Sequence, residues 1–365
     1  MKPEANNMIY RYLGKTGITV SVLGFGNWVN SDQPDPKVEE LTYQCMKKCF
    51  ENGINYFDTA EVYGYGNAEI AMGKALKKAG WARKDFVIST KIFRSGPGLN
   101  EGMLSRKHII EGLRDSLKKL QLDYVDIIFA HVPDPYTPME ESVRAFNWCI
   151  EHNLALYWGT SNWNPQQIME ANEVCEKLNL IKPVVEQPEY NILIRKHIEK
   201  SLVPLFDKYG LGTTIWSPLC GGLLTGKYLK DSKLQGTRFT GRVDEFVYSL
   251  FAPRYYGNSK EEVEKKISKF VEFAQELKCT PAQLALAWCV VNKDVSVTLF
   301  GATSVDQVED NLKAIDLVKK WDMNFEKKIE DIFGNMPTPE TNWKTFSPLP
   351  PRRPQVLDIK KQITN

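Results

Sequence analysis

Hydrophobic and polar positions follow two alternating patterns along the first three hundred residues. Eight short segments rich in β-branched and aliphatic residues each precede a stretch with the three- and four-residue apolar spacing of an amphipathic helix. The segments are residues 20–26, 54–60, 86–91, 125–131, 155–161, 184–190, 212–218 and 296–302. Strands that alternate with helices form parallel βα units. Eight such units without a linker predict an α/β fold, a closed eight-stranded β/α (TIM) barrel, with an open doubly wound sheet as the alternative.

Several helices carry start signals in the sequence. A capping Thr or Asn, then a proline, then a Glu or Gln in the first turn occur at 137–140 (TPME), 164–167 (NPQQ) and 280–283 (TPAQ). Ahead of the first barrel strand, residues 9–13 and 18–20 flank the turn sequence GKTG. This pattern predicts an N-terminal hairpin that plugs the barrel floor.

Two regions depart from the strand and helix repeat. The segment 220–258 is long, Gly-rich and irregular in pattern, which is typical of a functional lid or of a disordered loop. The chain beyond residue 335 is proline-rich, so we predict a barrel domain over 1–335 and an extended, peripheral tail over 336–365. Within the tail, PLPPRRP at 348–354 has the spacing of a polyproline ligand for an aromatic groove. We favour a tail that is disordered or lies on the barrel.

Composition excludes several classes of protein. The 47 Lys and Arg residues nearly balance 45 Asp and Glu, without a basic block, so nucleic acid is not expected as a partner. The seven cysteines lack the spacing of a disulfide framework, and Cys45 with Cys49 has no matching second pair to complete a metal site. No apolar run is long enough for a signal core or a membrane span, which predicts a cytoplasmic protein that does not insert into membranes.

The polar residues at the predicted strand ends are the candidate chemistry. Asp58, Tyr63, Lys91 and His131 follow the second, third and fourth strands, and the active sites of β/α barrels lie at these ends. A tyrosine near its ordinary pKa of about 10 is a reluctant acid, and a nearby ammonium lowers that pKa by stabilising the phenolate. Lys91 would supply this charge, Asp58 would hold Lys91, and His131 would donate a hydrogen bond to a substrate oxygen. Because no side chain delivers hydride, the set implies a nicotinamide cofactor.

Four motifs carry a resemblance to a known family. They are DTAEVY at 58–63, STK at 89–91, YWGTSNW at 157–163 and WSPL at 216–219, and over residues 8 to about 335 the chain resembles the aldo-keto reductase superfamily. Within it, MIYRYLG at 8–14, LSRKHIIEGL at 104–113 and TPMEE at 137–141 are most similar to the voltage-gated potassium channel β subunits and their bacterial and plant reductase relatives.

The resemblance implies a catalytic set of four residues. Tyr63 would be the general acid, Lys91 and Asp58 would tune it, and His131 would orient the substrate. Animal channel β subunits carry Asn at the position of His131, whereas competent reductases of the superfamily carry His. This departure favours an enzyme, because His restores a donor that can also change protonation. The other histidines, His108, His152 and His197, lie in polar helical contexts and are expected on the surface.

The resemblance also implies NADP(H) as the cofactor and its contacts. The implied residues are Ser161, Asn162 and Gln187 at the carboxamide, Trp216 stacked on the ring, Ser217, Pro218 and Leu219 at the pyrophosphate, Lys227 and Arg238 at the 2′-phosphate, Thr303, Gln307, Asp310 and Asn311 at the adenosine end, and Asn27 and Trp28 beside the cleft. Asn162 departs from the Arg of the animal channel subunits. Two cations at one phosphate favour NADP over NAD. Asp58 also faces the cofactor.

Two functions follow from the resemblance. The first is an NADPH-dependent reductase of a small aldehyde or ketone, with Tyr63 as the acid. The second is a cytoplasmic regulatory β subunit, a homotetramer docked on the α subunit of a potassium channel and carrying NADP(H). The second function would make the protein peripheral to the membrane.

Overall fold

Eight parallel strands close into a barrel in the computed structural model, which describes residues 7–28, 34–229, 253–257 and 259–338. Each strand pairs with the next along the chain, and the last returns to pair with the first. The strands are β3 (Leu23–Gly26), β4 (Tyr56–Asp58), β5 (Val87–Ile92), β6 (Val125–Ala130), β7 (Ala155–Ser161), β8 (Val185–Gln187), β9 (Gly212–Ile215) and β10 (Val297–Phe300). The predicted barrel is confirmed, and the open sheet is wrong.

A layer of helices surrounds the barrel. They are α1 (Pro36–Glu51), α2 (Asn67–Ala79), α3 (Arg106–Leu120), α4 (Met139–Glu151), α5 (Pro165–Leu178), α6 (Val203–Tyr209), α7 (Lys260–Glu276), α8 (Pro281–Val291), α9 (Val305–Leu312), α10 (Ala314–Lys319) and α11 (Met323–Phe333). Apolar residues of the helices pack against the outward side chains of the strands, as in the stack of Phe146 on Trp158 with ring centroids 5.0 Å apart. This packing fixes the strand ends that carry the candidate site.

Two of the three predicted helix starts are confirmed. The side chains of Asn164 and Thr280 each accept a hydrogen bond from the amide three residues on. Their own amides donate to the side-chain oxygen of Gln167 or Gln283, which completes two capping boxes. The prediction that Thr137 caps α4 is wrong, because Pro138 occupies the cap position and makes no side-chain cap bond. Asp134 organises this turn by accepting from the amides of Tyr136 and Thr137.

The N-terminal hairpin forms as predicted. Strands β1 (Tyr10–Tyr12) and β2 (Thr19–Ser21) pair antiparallel, and Leu13 and Val20 join the apolar cluster inside the barrel, where they close its floor. The predicted strand 20–26 is divided, because Val22 serves two sheets. Its amide donates to Ile9 in the hairpin, whereas its carbonyl accepts from Thr298 in the barrel. The barrel strand therefore begins only at Leu23.

Parts of two predicted regions lie outside the described residues. The irregular region 220–258 begins with a 3₁₀ turn over Cys220–Thr225. Residues 230–252 and 258, and with them the candidate Arg238, lie outside the described residues. Almost all of the proline-rich tail, including 348–354, also lies outside them, so the domain boundary stays a prediction. In the described ranges no helix is both long and apolar enough to cross a membrane. The same ranges hold no cluster of three or more His, Cys, Asp or Glu side chains suited to a metal.

Candidate active site

The ends of β4 and β5 bring a carboxylate and an ammonium into contact inside the barrel mouth. Asp58 ends β4 and pairs in register with Ser89, so Lys91, two residues further along β5, points to the same interior face. Lys91 Nζ donates to Asp58 Oδ2 and, at 2.8 Å, to the carbonyl oxygen of Thr59. Burial opposes the charge on Lys91, but Asp58 and Tyr63 outweigh it and raise the pKa of Lys91. The ammonium is therefore retained.

Asp58 accepts two further hydrogen bonds on its other oxygen. Ser89 Oγ donates to Asp58 Oδ1 at 2.6 Å, and Gln187 Nε2 donates to the same atom at 3.1 Å. Tyr56 in turn donates to Ser89 Oγ at 3.1 Å. Ser89 belongs to the STK motif, although its place in the sequence did not indicate this contact with Asp58. A buried carboxylate with this many donors has little freedom to move.

Tyr63 follows β4 and opens a short 3₁₀ turn over Tyr63–Gly66. Its amide donates to the carbonyl of Ala60 at 3.1 Å, and its partly exposed ring lies with the centroid 4.8 Å from Lys91 Nζ. Burial of the phenol raises the pKa of Tyr63 above its ordinary value, and Lys91 only partly opposes this effect. Lys91 acts in the expected direction, but the net shift is upward, so the phenol holds its proton at neutral pH.

His131 follows β6 and faces Tyr63 across the mouth. Its amide donates to the carbonyl of Ile92 at 3.1 Å, and the imidazole and phenol centroids are 5.6 Å apart in an edge-to-face arrangement. Burial, aided by the charge on Lys91, lowers the pKa of His131 to about 3. With this pKa the imidazole is neutral at pH 7, and the change of protonation expected from the resemblance stays a prediction. The ring is a neutral hydrogen-bonding group.

Asn27 and Trp28 lie at the end of β3, on the same rim. The Asn27 amide donates to the Asp58 carbonyl at 2.8 Å, and its side-chain Nδ2 donates to the Ala68 carbonyl at 2.8 Å. The Trp28 and Tyr63 rings have centroids 6.1 Å apart. The buried side chain of Asn27 thus ties β3 to α2, while Trp28 lies beside the phenol.

The predicted carboxamide-binding residues meet at the ends of β7 and β8. Ser161 Oγ donates to the carbonyl of Gln187 at 2.8 Å, and Asn162 Nδ2 donates to Ser161 Oγ at 3.1 Å. Trp216 Nε1 donates to Asn162 Oδ1 at 3.1 Å, which brings the indole to the same edge. These hydroxyl, amide and indole groups form one continuous polar edge.

Behind that edge, Glu186 holds the turn after β7. Its carboxylate accepts from the Thr160 hydroxyl and, at 3.1 Å, from the Trp163 amide. Burial raises the pKa of Glu186 to about 8. The turn includes Asn162 in a left-handed conformation with φ of 59°. No sequence motif pointed to Glu186, because its partners are brought together only by the fold.

Residues 217–227 continue the rim after β9, with Pro218 and Leu219 leading into the 3₁₀ turn. Gly222 has φ of 98°, and a Cβ there would lie 2.8 Å from Lys227 Nζ. The left-handed backbone favours glycine at this position, and the end of the flexible Lys227 side chain lies against it. The amides of Cys220 and Gly222 donate to carbonyls within the turn, so the group suited to a phosphate here is the Lys227 ammonium.

A buried carboxylate holds the returning end of the long region, residues 253–257, against the rim. Glu189 Oε1 accepts from Tyr255 OH at 2.8 Å, and Glu189 Oε2 lies 2.5 Å from Arg254 Nη2. Ser217 Oγ lies 2.9 Å from Tyr255 OH, and the Arg254 guanidinium lies 5.9 Å from the centroid of the Trp216 ring. No sequence motif pointed to Glu189, because its partners come from the irregular region.

The predicted adenosine-end residues lie after β10. Gln307 Oε1 accepts from the Thr303 amide at 2.9 Å. The Asp310 carboxylate instead accepts from Thr280 Oγ1 at 2.8 Å and Gln283 Nε2 at 2.6 Å, so it ties α9 to the start of α8. Asn311 is buried. Thr303 and Gln307 are thus exposed at the rim. Asp310 instead contacts the start of α8, and Asn311 points to the protein interior.

One expectation about the other histidines is wrong. His108, in the first turn of α3, is only 2% exposed, and its Nε2 lies 3.1 Å from Glu61 Oε1. His197 is partly buried, whereas His152 is exposed as expected. Glu61 belongs to the DTAEVY motif, but sequence reasoning gave it no role.

Comparisons with known proteins agree with this geometry. The family model described as "Aldo/keto reductase family" matches residues 22–329. Two proteins named "Probable voltage-gated potassium channel subunit beta", from Arabidopsis thaliana and Oryza sativa subsp. japonica, are each 45% identical over 331 residues, which is 90% of this chain and 98% of theirs. A "Putative voltage-gated potassium channel subunit beta" from Schizosaccharomyces pombe is 45% identical over 336 residues, 92% of this chain and 96% of its own. By fold and sequence, the chain belongs to the aldo/keto reductase family.

Proposed function

We propose that this protein is an NADPH-dependent reductase of aldehydes or ketones. The observation that carries the proposal is the convergence of Tyr63, Lys91, Asp58 and His131 at one barrel mouth. The centroid of the Tyr63 ring lies 4.8 Å from Lys91 Nζ and 5.6 Å from the centroid of the His131 ring. An acid, its charged neighbour and a neutral donor thus face the same opening.

The residues around this mouth fit a nicotinamide dinucleotide. The amides and hydroxyl of Ser161, Asn162 and Gln187 suit a carboxamide, and the flat indole of Trp216 suits ring stacking. The ammonium of Lys227, which lies close to Gly222 on the same rim, suits a phosphate. We assign the 2′-phosphate of NADP(H) to Lys227, together with Arg238 outside the described residues, and the far end of the cofactor to Thr303 and Gln307.

In the proposed reduction, the protein side chains orient the carbonyl group and donate the proton. Bound NADPH would supply the hydride to the carbonyl carbon. His131, as a neutral ring, donates an N–H to the carbonyl oxygen and orients it. Tyr63 gives its phenolic proton to that oxygen, which becomes the alcohol hydroxyl, and Lys91 stabilises the phenolate left behind. A proton from solvent then restores the Tyr63 phenol for the next turnover.

The test is turnover by purified protein. We expect NADPH absorbance to fall with members of a panel of small aldehydes and ketones, and Tyr63→Phe to lose this rate by about 10²- to 10⁴-fold. Tyr65→Phe is the matched control, since Tyr65 lies in the same turn but is 74% exposed. The proposal fails if Tyr63→Phe reduces carbonyls as fast as the control, or if NADPH does not bind.

The second candidate is a cytoplasmic regulatory β subunit of a voltage-gated potassium channel, assembled as a homotetramer. Its support is the 45% identity to three proteins named as such subunits, over nearly the whole of each. A channel α subunit that co-purifies with the tagged protein, together with a tetrameric mass in solution, would support this function. Failure of both would remove it without affecting the reductase.

A further inference from the structure

Two residues before Tyr63, a carboxylate is buried in the wall behind the mouth. Glu61 is 1% exposed, and its Oε1 accepts from the amide of Phe93 at 2.6 Å. The same oxygen lies 3.1 Å from His108 Nε2, which therefore donates to it. Glu61 Oε2 is shielded and has no hydrogen-bond partner in the described residues. Burying a carboxylate is costly, so a position that keeps one requires an explanation.

The backbone around Glu61 carries the chain from β4 to the phenol. The Thr59 amide donates to the Ser89 carbonyl at 3.0 Å, and the Glu61 amide donates to the Lys91 carbonyl at 3.2 Å. The strand ladder therefore extends past β4 as far as Glu61. The side chain of Glu61 then reaches over the end of β5 to the Phe93 amide. Glu61 is the last point at which this segment is bonded to β5 before Tyr63.

One of the residues that follow Tyr63 adopts a backbone conformation that its residue type disfavours. Gly64, Tyr65 and Gly66 have φ values of 54°, 52° and 90°, three consecutive left-handed residues. The two glycines adopt this conformation readily, whereas Tyr65 costs about 1 kcal/mol or more, which contacts outside the turn must offset. Glu61 provides such a contact on the side that precedes the phenol.

His108 anchors Glu61 to a third element. It lies in α3, where its amide donates to the capping hydroxyl of Ser105 at 3.2 Å. One turn later, a Cβ at Gly112 would lie 2.9 Å from Glu61 Oε2 and 3.5 Å from His108 Cε1. A glycine in a helix interior costs about 1 kcal/mol relative to alanine, and here it makes room for the carboxylate. Three separate features thus converge on the Glu61 side chain.

We propose that Glu61 and His108 form a positioning pair that sets the distance between the Tyr63 phenol and Lys91. Neither residue touches substrate or reacting atoms. Their contacts hold the segment from residue 59 to residue 63 against β5, which also carries Lys91. A displacement of about 1 Å in such an arrangement can lower a rate about 100-fold. The inference rests on the proposed role of Tyr63 as the acid.

Two variants of one residue test the pair. His108→Gln retains an amide donor near the position of Nε2, whereas His108→Asn is one methylene shorter and cannot reach Glu61. We expect kcat to fall about 10- to 100-fold in His108→Asn, with KM and the NADPH dissociation constant changed by less than about 2-fold. His108→Gln should retain most of the wild-type kcat. Equal kcat in these two variants would overturn the proposal.

Asp126→Asn is the matched structural control. Asp126 is also a buried carboxylate that accepts from an amide of β5, that of Ile88 at 2.7 Å, but at the opposite end of the strand from Tyr63. Its loss should lower the thermal unfolding temperature while leaving kcat unchanged. If His108→Asn lowers kcat only as much as Asp126→Asn at similar stability, the role of His108 is merely structural.

A second readout does not depend on turnover. Tyrosine labelled at the ring carbon that bears the hydroxyl gives an NMR resonance for Tyr63, assigned by its loss in Tyr63→Phe. We expect this resonance to shift or broaden in His108→Asn and to remain unchanged in His108→Gln and Asp126→Asn. An unchanged resonance in His108→Asn would contradict the proposal. Wild-type turnover equal to that of Tyr63→Phe would instead remove the proposed function, so the two failures are distinguishable.

Discussion

Lys91 and Asp58 form an ion pair inside the barrel mouth, with side chains only 1% and 4% exposed. The Thr59 carbonyl accepts a further hydrogen bond from Lys91, and Ser89 and Gln187 donate to Asp58. A buried pair of this kind adds little net stability, because both charges leave water, but its geometry is closely determined. Because Tyr63 lies beside Lys91, the fixed position of this ion pair also fixes the charge that faces the candidate acid.

Removing one partner of this pair should destabilise the protein more than removing both. Asp58→Asn leaves the Lys91 ammonium buried without its counter-ion, and we expect the free energy of unfolding to fall by about 3 to 5 kcal/mol. The double variant Asp58→Asn with Lys91→Met leaves no unpaired charge and should recover part of that loss. Urea unfolding of the single and double variants measures the difference. Additive losses would show that the charges do not interact.

Turnover should be insensitive to the ionisation of His131 over the usual assay range. Burial and Lys91 lower the pKa of His131 to about 3, so the imidazole is already neutral at about pH 5 and remains so as the pH rises. Burial raises the pKa of Tyr63, so the phenol keeps its proton until the pH exceeds about 10. The profile of kcat against pH should therefore be flat between about pH 5 and pH 9.

The measurement compares wild type with His131→Gln, using a carbonyl substrate that is stable across the range. An inflection near the ordinary histidine pKa of about 6.5, present in wild type and absent in the variant, would contradict the neutral ring. A loss of kcat in His131→Gln without a change in the shape of the profile agrees with a hydrogen-bonding role.

Weakening the contacts of Glu189 should speed cofactor release. Glu189→Gln retains an oxygen that can accept from Tyr255 but removes the charge that faces Arg254, which is 46% exposed. These residues lie against Trp216 and Ser217, the residues proposed to contact the cofactor. We expect NADPH to dissociate about 3- to 10-fold faster, which corresponds to roughly 0.7 to 1.4 kcal/mol. Stopped-flow fluorescence on displacement of bound NADPH measures this rate.

Glu330→Gln serves as the control for that measurement. Glu330 Oε2 accepts from the buried Arg195 at 2.6 Å, and Glu330 Oε1 accepts from the Met336 amide at 3.0 Å. The dissociation rate of NADPH should not change in this variant. Equal rates for wild type and Glu189→Gln would remove Glu189 from cofactor retention.

The barrel and its site positions could be predicted from sequence because both depend on local patterns. Hydrophobic periodicity along the chain reveals eight strand and helix units, and a parallel barrel brings all the strand ends to one face. Asp58, Tyr63, Lys91 and His131 could therefore be placed together without any knowledge of contacts. The capping boxes at Asn164 and Thr280 are equally local, since each joins residues three apart.

The remaining features depended on contacts between distant parts of the chain. Glu61 and His108 are 47 residues apart in sequence, and only the packing of α3 against the end of β5 brings them together and buries a histidine expected on the surface. The net pKa shifts of Tyr63 and His131 also follow from burial, which no local pattern reports. The sequence by itself determined which chemical groups reach the barrel mouth. Only the tertiary structure decided their protonation and the residues that hold them in place, because desolvation and long-range hydrogen bonds arise when the chain is folded.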